Sequence, residues 1–349
     1  MKVAIVILNW NGASLLKKYL PTLLKYTLAD KDMSDASTLA AASSIDSSVY
    51  VVDNGSTDDS CALLESQFPQ VQLIKLAENY GFAEGYNRGL AQLQDELETD
   101  YLLLLNSDVA VTPHFLEPLI EHLEANPDCA AVQPKICSDR DHSRFEHAGA
   151  CGGFIDYLGY PYCRGRVFTA VEADHGQYDT PIQCDWASGA CMLIRTTRFH
   201  EQGGFDTNFF AHMEEIDLCW RLTSAGYTIA CIPQSVVYHW GGGSLPYGSS
   251  RKVYLNFRNN QLMLYKNLSQ ASYKRVMRWR WVLDYIAACF FLLKFQWKSF
   301  HAVFQARKDA RYMRIHYTPK RKPSTLEQDK STHKPFCVLF KKPRFQSKP

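Results

Sequence analysis

The side chains of this chain that could do chemistry stand at the ends of apolar runs. Val3–Leu8 ends in Asn9-Trp10-Asn11-Gly12, and Val49–Val52 ends in Asp53-Asn54-Gly55-Ser56-Thr57-Asp58. Tyr101–Leu105 ends in Asn106-Ser107-Asp108. In an open parallel sheet, ligands bind outside the carboxyl ends of the strands. Trp10 offers a ring for a base, and Asp53 can accept the N3–H of uracil or thymine. A turn at Asp53-Asn54-Gly55 with a helix cap at Thr57 or Asp58 accounts for Gly55 and Asp58, but does not require Asp53. Asp108 follows a wholly apolar strand, where a carboxylate is expected to be paired or to hold a metal. Hard ions such as Mg²⁺ take few protein carboxylates and complete their shell with substrate phosphates. One Asp opposite a pyrophosphate suits that role; a turn or cap Asp is the structural alternative.

Three further segments carry polar groups in suggestive places. The loop Glu78-Asn79-Tyr80-Gly81-Phe82-Ala83-Glu84-Gly85-Tyr86-Asn87-Arg88-Gly89 holds three glycines that let backbone approach a ligand closely. Asn87 and Arg88 fall about one turn inside the following helix, where Arg88 could meet a phosphate or be a solvated surface residue. In the helix expected over Met213–Ala225, Glu214, Asp217 and Arg221 share one face, and Asp217 can pair with Arg221. Glu215 projects from a neighbouring face. His239 follows Val236-Val237-Tyr238 and precedes Trp240-Gly241-Gly242-Gly243-Ser244; it reads as a ligand or as a satisfied structural histidine.

The elements that must position these groups alternate. Strands are expected at Val3–Leu8, Val49–Val52, Val71–Leu76 and Tyr101–Leu105, with helices at Ser14–Lys25, Asp58–Gln67, Ala83–Gln94 and Pro113–Ala125. Such alternation implies a mostly parallel sheet covered on both faces. The Ala-, Ser- and Asp-rich stretch Ala29–Ser48 reads as a surface insertion. Residues 130–200 mix short strands and loops, and helices are expected over 253–267 and 272–310. The Lys- and Pro-rich tail from Thr318 is expected to be poorly ordered. No Gly-x-Gly-x-x-Gly follows the first strand, which argues against a dinucleotide-dependent dehydrogenase. A nucleotidyltransferase would want a basic, glycine-rich triphosphate loop there, and Asn9-Trp10-Asn11-Gly12 is not one.

These motifs, in this order and spacing, resemble the family 2 glycosyltransferases of the GT-A fold, and among them the bacterial rhamnosyltransferase-like branch. The resemblance continues through Trp186-Ala187-Ser188-Gly189-Ala190, Gly203-Gly204-Phe205-Asp206, Glu214-Glu215-Ile216-Asp217-Leu218-Cys219-Trp220-Arg221 and His239, and covers about residues 1–270. Each motif is weak alone; the ordered set is specific. It implies a GT-A nucleotide-diphospho-sugar transferase fold over 1–250, with a nucleotide-binding half to about 110 and an acceptor half beyond. A helical region over 251–317 and a basic tail over 318–349 follow. It implies an inverting, metal-dependent transfer. Asn9, Trp10, Asn11, Asp53, Asn79, Gly81, Asn87, Arg88, Asn106 and Ser107 would bind the donor, a dTDP- or UDP-sugar. Asp108, standing for the last Asp of the family's metal motif, and His239 would hold Mg²⁺ or Mn²⁺. Trp186, Ser188, Gly189, Asp206 and Asp217 would face the acceptor, a glycan or lipid-linked saccharide. The family carries Glu-Asp where this chain has Glu214-Glu215, so the base is Glu215 or Glu214. The branch implies rhamnose and cell-surface polysaccharide synthesis; the rival reading is an inactive nucleotide-sugar- or glycan-binding module.

Charge is distributed unevenly. Residues 251–349 hold 23 of the 38 Lys and Arg but only 4 of the 36 acidic residues. A basic end on an acidic body is suited to an anionic surface. The run Ile286–Leu293 is too short to span a bilayer, which takes about 20 apolar residues. Trp279, Trp281, Phe290, Phe291, Phe295 and Trp297, mixed with Arg278, Arg280, Lys294 and Lys298, suit a helix lying in the membrane interface or one packed on the core. Nucleic acid is not the expected partner. The eleven scattered cysteines include no Cys-x-x-Cys pair and fit free thiols in a reducing cytoplasm. The expected location is cytoplasmic, with peripheral contact at the inner face of the membrane.

Overall fold

In a computed structural model of the chain, the described residues are 1–28, 45–93, 98–147, 149–168, 170–241 and 249–320. Most of the expected insertion and tail therefore lie outside them. The first half builds β1 (Lys2–Asn9), α1 (Ala13–Thr27), β2 (Asp46–Asp53), α2 (Ser60–Gln67), β3 (Gln72–Lys75), α3 (Gly81–Leu93), β4 (Tyr101–Asn106), β5 (Val109–Val111) and α4 (Glu117–Ala125). There follow β6 (Cys129–Ser138), β7 (Gly153–Ile155), β8 (Pro161–Cys163), β9 (Arg166–Val167), β10 (Ala170–Val171), β11 (Ile182–Cys184), β12 (Cys191–Arg195), α5 (Thr196–Glu201), α6 (Glu214–Ser224) and β13 (Thr228–His239). Three helices close the described chain: α7 (Ser250–Asn267), α8 (Gln270–Leu293) and α9 (Trp297–Met313).

The main sheet runs β11-β13-β6-β12-β4-β1-β2-β3, with β5 on β13, and a small sheet runs β10-β9-β8-β7. The parallel order expected of the alternating half holds across β4, β1, β2 and β3. Beyond it β12 enters antiparallel between β4 and β6, so the sheet as a whole is mixed. Val3–Val6 and Leu102–Leu104 are at most 1% exposed, as strands covered on both faces must be. Helix α3 lies close on β1 and β2 because Gly89 and Gly85 face them. A Cβ at Gly89 would stand 2.4 Å from Val52, and one at Gly85 3.0 Å from Leu8.

Three expected boundaries move. Asp46–Ser48 belong to β2 rather than to the insertion, paired in register with Lys2–Ala4. The fourth helix starts at Glu117, not Pro113. The single helix expected over 272–310 is two, α8 and α9, separated at Lys294–Gln296 by a turn in which Phe295 has φ +57°.

The three C-terminal helices pack through a buried ionic cluster. Asp284 on α8 stands 3.3 Å from Arg280 and 2.6 Å from Arg307 of α9, and Arg280 donates to Asn260 Oδ1 of α7 at 2.6 Å. Arg280 is therefore turned inward, unlike the outward arginine expected at that position. Its neighbours on the other face remain exposed: Trp279, Ile286, Phe290, Leu293, Phe295 and Trp297 are all more than half accessible. Among the described residues no helix is long and apolar enough to cross a membrane.

Candidate functional site

The ends of β1 and β2 are laced together by their own side chains. Asn9 is fully buried; its Nδ2 donates to Asp53 Oδ1 at 3.0 Å and to Ser56 Oγ at 3.2 Å. Asp53 Oδ2 accepts from the Ser56 N–H at 3.0 Å, which leaves acceptor capacity on both carboxylate oxygens. Asn9 Oδ1 is buried without a partner. Asn11, at φ +51°, accepts from the N–H of Thr57 at 2.7 Å, so its amide holds the second loop. Trp10 stands 45% exposed beside this clasp.

The next loop is fixed by Asn54, a residue that the sequence marks only as a turn former. Its Oδ1 accepts from Tyr80 N–H and its Nδ2 donates to Gly81 O at 2.9 Å and to Asn79 Oδ1 at 3.2 Å. Gly81 opens α3 at φ +79°, and a Cβ there would lie 2.5 Å from Phe210. The Phe210 carbonyl accepts from the N–H groups of Phe82 and Ala83, joining the start of α3 to the loop that precedes α6. Two expected donor contacts turn elsewhere. Both ends of the Asn87 amide hold the Phe205 backbone, at 2.7 and 3.0 Å. Arg88 pairs with Glu84 at 2.6 Å and stacks on the Tyr80 ring.

At the end of β4, Asp108 meets His239. Strand β5 pairs with β13 so that Val109 opposes His239, which brings His239 Nε2 to 3.0 Å from Asp108 Oδ1. Asn106 Nδ2 is 3.5 Å from the same ring nitrogen. On the other side Glu146 Oε2 stands 3.2 Å from His239 Nδ1. All three members of the Asp108-His239-Glu146 row are buried. Burial alone would lower the His239 pKa, but the two carboxylates outweigh it and push it up to about 10. Glu146 was not a candidate from sequence. It follows an irregular turn, and the hydrogen bond from Glu146 N–H to Ile136 O brings it back beside β6, the neighbour of β13.

Asp108 Oδ1 and His239 Nε2 face each other at 3.0 Å, a carboxylate and a ring nitrogen of the kinds that could serve as two ligands of a divalent ion. A ligating histidine commonly gives its second nitrogen to a carboxylate that fixes the ring, and Glu146 occupies that place. Among the described residues no group of three His, Cys, Asp or Glu is arranged to enclose a metal. Such an ion would draw the rest of its shell from phosphate and water.

The acidic start of α6 lies beside this row. Asn106 N–H donates to Ala190 O at 3.0 Å, and a Cβ on the adjoining Gly189 would be 3.7 Å from Glu215 Cβ. Glu215 Oε2 is buried with no partner. Burial pushes its pKa up to about 7, against the pull of backbone N–H groups at the helix start. Glu214 is 4% exposed and is raised well above the usual range by burial, then by the charges of Glu215 and Asp217. His212, also unforeseen, is held near 4 by burial and the Lys252 charge; its Nε2 has no partner.

The expected acceptor residues divide. Gly189 lines the approach to Glu215, and Ser188 is buried with its N–H on Gln133 Oε1. Trp186 is 4% exposed, packs on Gly153 and donates from Nε1 to Phe154 O. Asp217 is 0% exposed, and its carboxylate takes Arg221, Lys266 and Asn267 at 2.7–2.8 Å. Lys266 also pairs with Asp206 at 2.7 Å. Asp217 thus ties α6 to α7, and Asp206, in the loop before α6, shares the same lysine, so the oxygens of both are engaged by neighbouring cations and amides. Asn259 of α7 completes the joint, donating to the carbonyls of Phe209, Ala211 and His212 at 2.7–2.8 Å.

The sequence model of glycosyl transferase family 2 matches residues 5–190, and that of glycosyl transferase family group 2 matches 101–308. An N-acetylglucosaminyl-diphospho-decaprenol L-rhamnosyltransferase of Mycobacterium tuberculosis is 31% identical over 205 residues, covering 55% of this chain and 66% of that protein. Rhamnosyltransferase WbbL of Escherichia coli is 28% identical over 167 residues, 46% of this chain and 61% of that protein. The chain thus spans just under two thirds of the length of these relatives. Its GT-A-type fold is shared with GalNAc-T7, solved with UDP, GalNAc and Mn²⁺, at a TM-score of 0.54 and 15% identity, over 82% of this chain and 50% of that one.

Proposed function

This chain belongs to glycosyl transferase family 2, and from that premise we propose that it moves a sugar from a nucleoside diphosphate to a lipid-linked saccharide acceptor. The favoured donor is dTDP- or UDP-linked, with rhamnose as the sugar, and the setting is cell-surface polysaccharide synthesis. The relatives' activities support this choice. The observation that carries the reading is the buried, unpartnered Oε2 of Glu215 next to Gly189, whose neighbour Ala190 bonds Asn106 at the end of the strand that leads to Asp108.

In this account Trp10 and Asp53 hold the base, and Asn79 and Gly81 shape the loop beneath it. Asn106 and Ser107 line the path to Asp108. Asp108 and His239 would hold Mg²⁺ or Mn²⁺, which neutralises charge on a leaving diphosphate. Glu215 takes the proton of the acceptor hydroxyl as that oxygen attacks the anomeric carbon from the face opposite the leaving group, so configuration inverts. A base with a pKa near 7 both ionises and accepts a proton readily at neutral pH. Gly189 leaves room for the acceptor.

The exposed apolar stripe supports membrane contact. Trp279, Val282, Ile286, Phe290 and Leu293 recur at helical spacing along α8, and Phe295 and Trp297 extend the stripe through the turn. Lys294 and Lys298 flank it. A surface of this kind suits the interface of an anionic bilayer.

Calorimetry with UDP, dTDP and GDP, each with and without Mn²⁺, tests the donor assignment. Metal-dependent binding of a pyrimidine nucleotide in preference to GDP is expected. Equal affinity for all three, or no effect of the ion, contradicts it.

A further inference from the structure

A cleft of about 650 Å³ lies between the start of α7 and the body of α9. Its walls carry Arg251, Lys298, His301 and Lys308, with Tyr254 and Phe304 between them. Among the described residues, none of the four basic side chains is paired with a carboxylate. Asp309 at the edge is taken up by Tyr254 Oη at 2.7 Å and Gln305 Nε2 at 2.8 Å. Four cationic or protonatable groups around one cleft, without their own counter-charge, make a site for a multiply charged anion.

What borders the cleft narrows the anion further. The Phe304 ring meets Tyr285 at 5.1 Å, and Tyr285 meets Trp281 at 5.0 Å. This row of rings runs from the cleft across α8, whose exposed face carries Trp279, Val282 and Ile286. In the other direction Arg251 lies over the Phe210 ring at 4.9 Å. Phe210 binds the start of α3 at Phe82, and Phe82 abuts Gly189 next to Glu215. One end of the cleft therefore opens on apolar rings, and at the other Arg251 packs, through Phe210 and Phe82, on the wall beside Glu215.

We propose that this cleft binds the diphosphate of a membrane-resident polyprenyl-type acceptor, with its apolar chain leaving over Phe304 and the α8 face and its sugar reaching toward Glu215. The inference rests on the glycosyltransferase reading above and names the part of the acceptor that the chain would hold. A cation cluster bordered on one side by exposed rings suits an amphiphilic phosphate, whereas a nucleotide would have no use for the apolar exit. The volume is that of an ordinary small-molecule pocket and admits a diphosphate with its attached groups.

The test uses the full chain and its Lys298→Glu/Lys308→Glu variant, both positions being exposed on α9. Farnesyl diphosphate serves as the short-chain probe, and UDP or dTDP with Mn²⁺ as the donor-side control. The wild type should bind farnesyl diphosphate, and the double variant should lose about tenfold or more in affinity with nucleotide binding unchanged. Inorganic pyrophosphate should compete more weakly than farnesyl diphosphate, because it lacks the chain. Equal farnesyl diphosphate affinity in both proteins, with nucleotide binding intact, overturns the cleft assignment alone. Parallel loss of nucleotide binding also overturns it, since the cations would then serve the donor. Loss confined to phosphatidylglycerol vesicles would reduce the cleft to a general lipid contact. Absence of nucleotide binding in the wild type would instead count against the glycosyltransferase reading.

Discussion

Glu215→Gln should stabilise the metal-free protein at pH 8 while removing its turnover. The carboxyl is buried with one oxygen unpartnered, and burial raises its pKa from 4.5 to about 7. Between those values the native state keeps a proton that the unfolded chain has released. Stability contributed by this group is therefore present below about pH 4.5 and is lost as pH rises through about 7. At about 1.4 kcal/mol per pH unit the full span is roughly 3 kcal/mol; partial solvent access reduces the expected effect to about 1–3 kcal/mol. Glutamine keeps the shape and never ionises. Urea unfolding of both proteins in chelator should give similar midpoints at pH 5 and a higher midpoint for the variant at pH 8. The same variant should lose turnover by about 10²-fold or more, the scale of general-base catalysis. A variant no more stable than wild type at pH 8 would refute the claim that Glu215 is an uncompensated buried acid.

Other perturbations address the remaining parts. Glu146→Gln should weaken Mn²⁺-dependent nucleotide binding by about tenfold or more, the usual effect of losing the carboxylate behind a ligating histidine; unchanged calorimetry would dismiss that role. Lys266→Met leaves Asp206 and Asp217 without their shared cation and should cost about 3 kcal/mol or more in urea unfolding. An unaltered midpoint with poorer acceptor use would return Asp217 to the acceptor site. Phe290→Glu with Leu293→Glu should reduce co-sedimentation with phosphatidylglycerol vesicles, more so at high salt, while leaving nucleotide binding alone. Undiminished sedimentation would remove α8 from the membrane contact.

The alternating half was legible because its strands are apolar throughout and end in polar residues at the face where ligands bind. Asp108 stood out for that reason, and register between β5 and β13 explains why it meets His239, whose ligand role only the family resemblance implied. Glu146 carried no such mark: it lies in an irregular segment, and only the return of the chain beside β6 brings it to the histidine. Asp217 shows the reverse. Its helix spacing to Arg221 was readable, but Lys266 and Asn267 come from a helix some 50 residues away, so its saturation was not. The break between α8 and α9 also had no local signal, since the positive φ falls on Phe295 rather than on a glycine. Arg280 looked like one more interfacial base until Asp284 and Arg307 were placed around it.

Sugar transfer itself is the most direct test of the central claim. Purified full-length protein, incubated with Mn²⁺, a labelled dTDP- or UDP-sugar and a prenyl-diphosphate-linked saccharide, is followed for label appearing in the acceptor and for the anomeric configuration of the product. The account predicts transfer with inversion that disappears on chelation, in Asp108→Ala and in Glu215→Gln, with Glu215→Gln still binding the donor. Product formed equally well by Glu215→Gln, or donor bound but never cleaved by the wild type under any of these conditions, would contradict it.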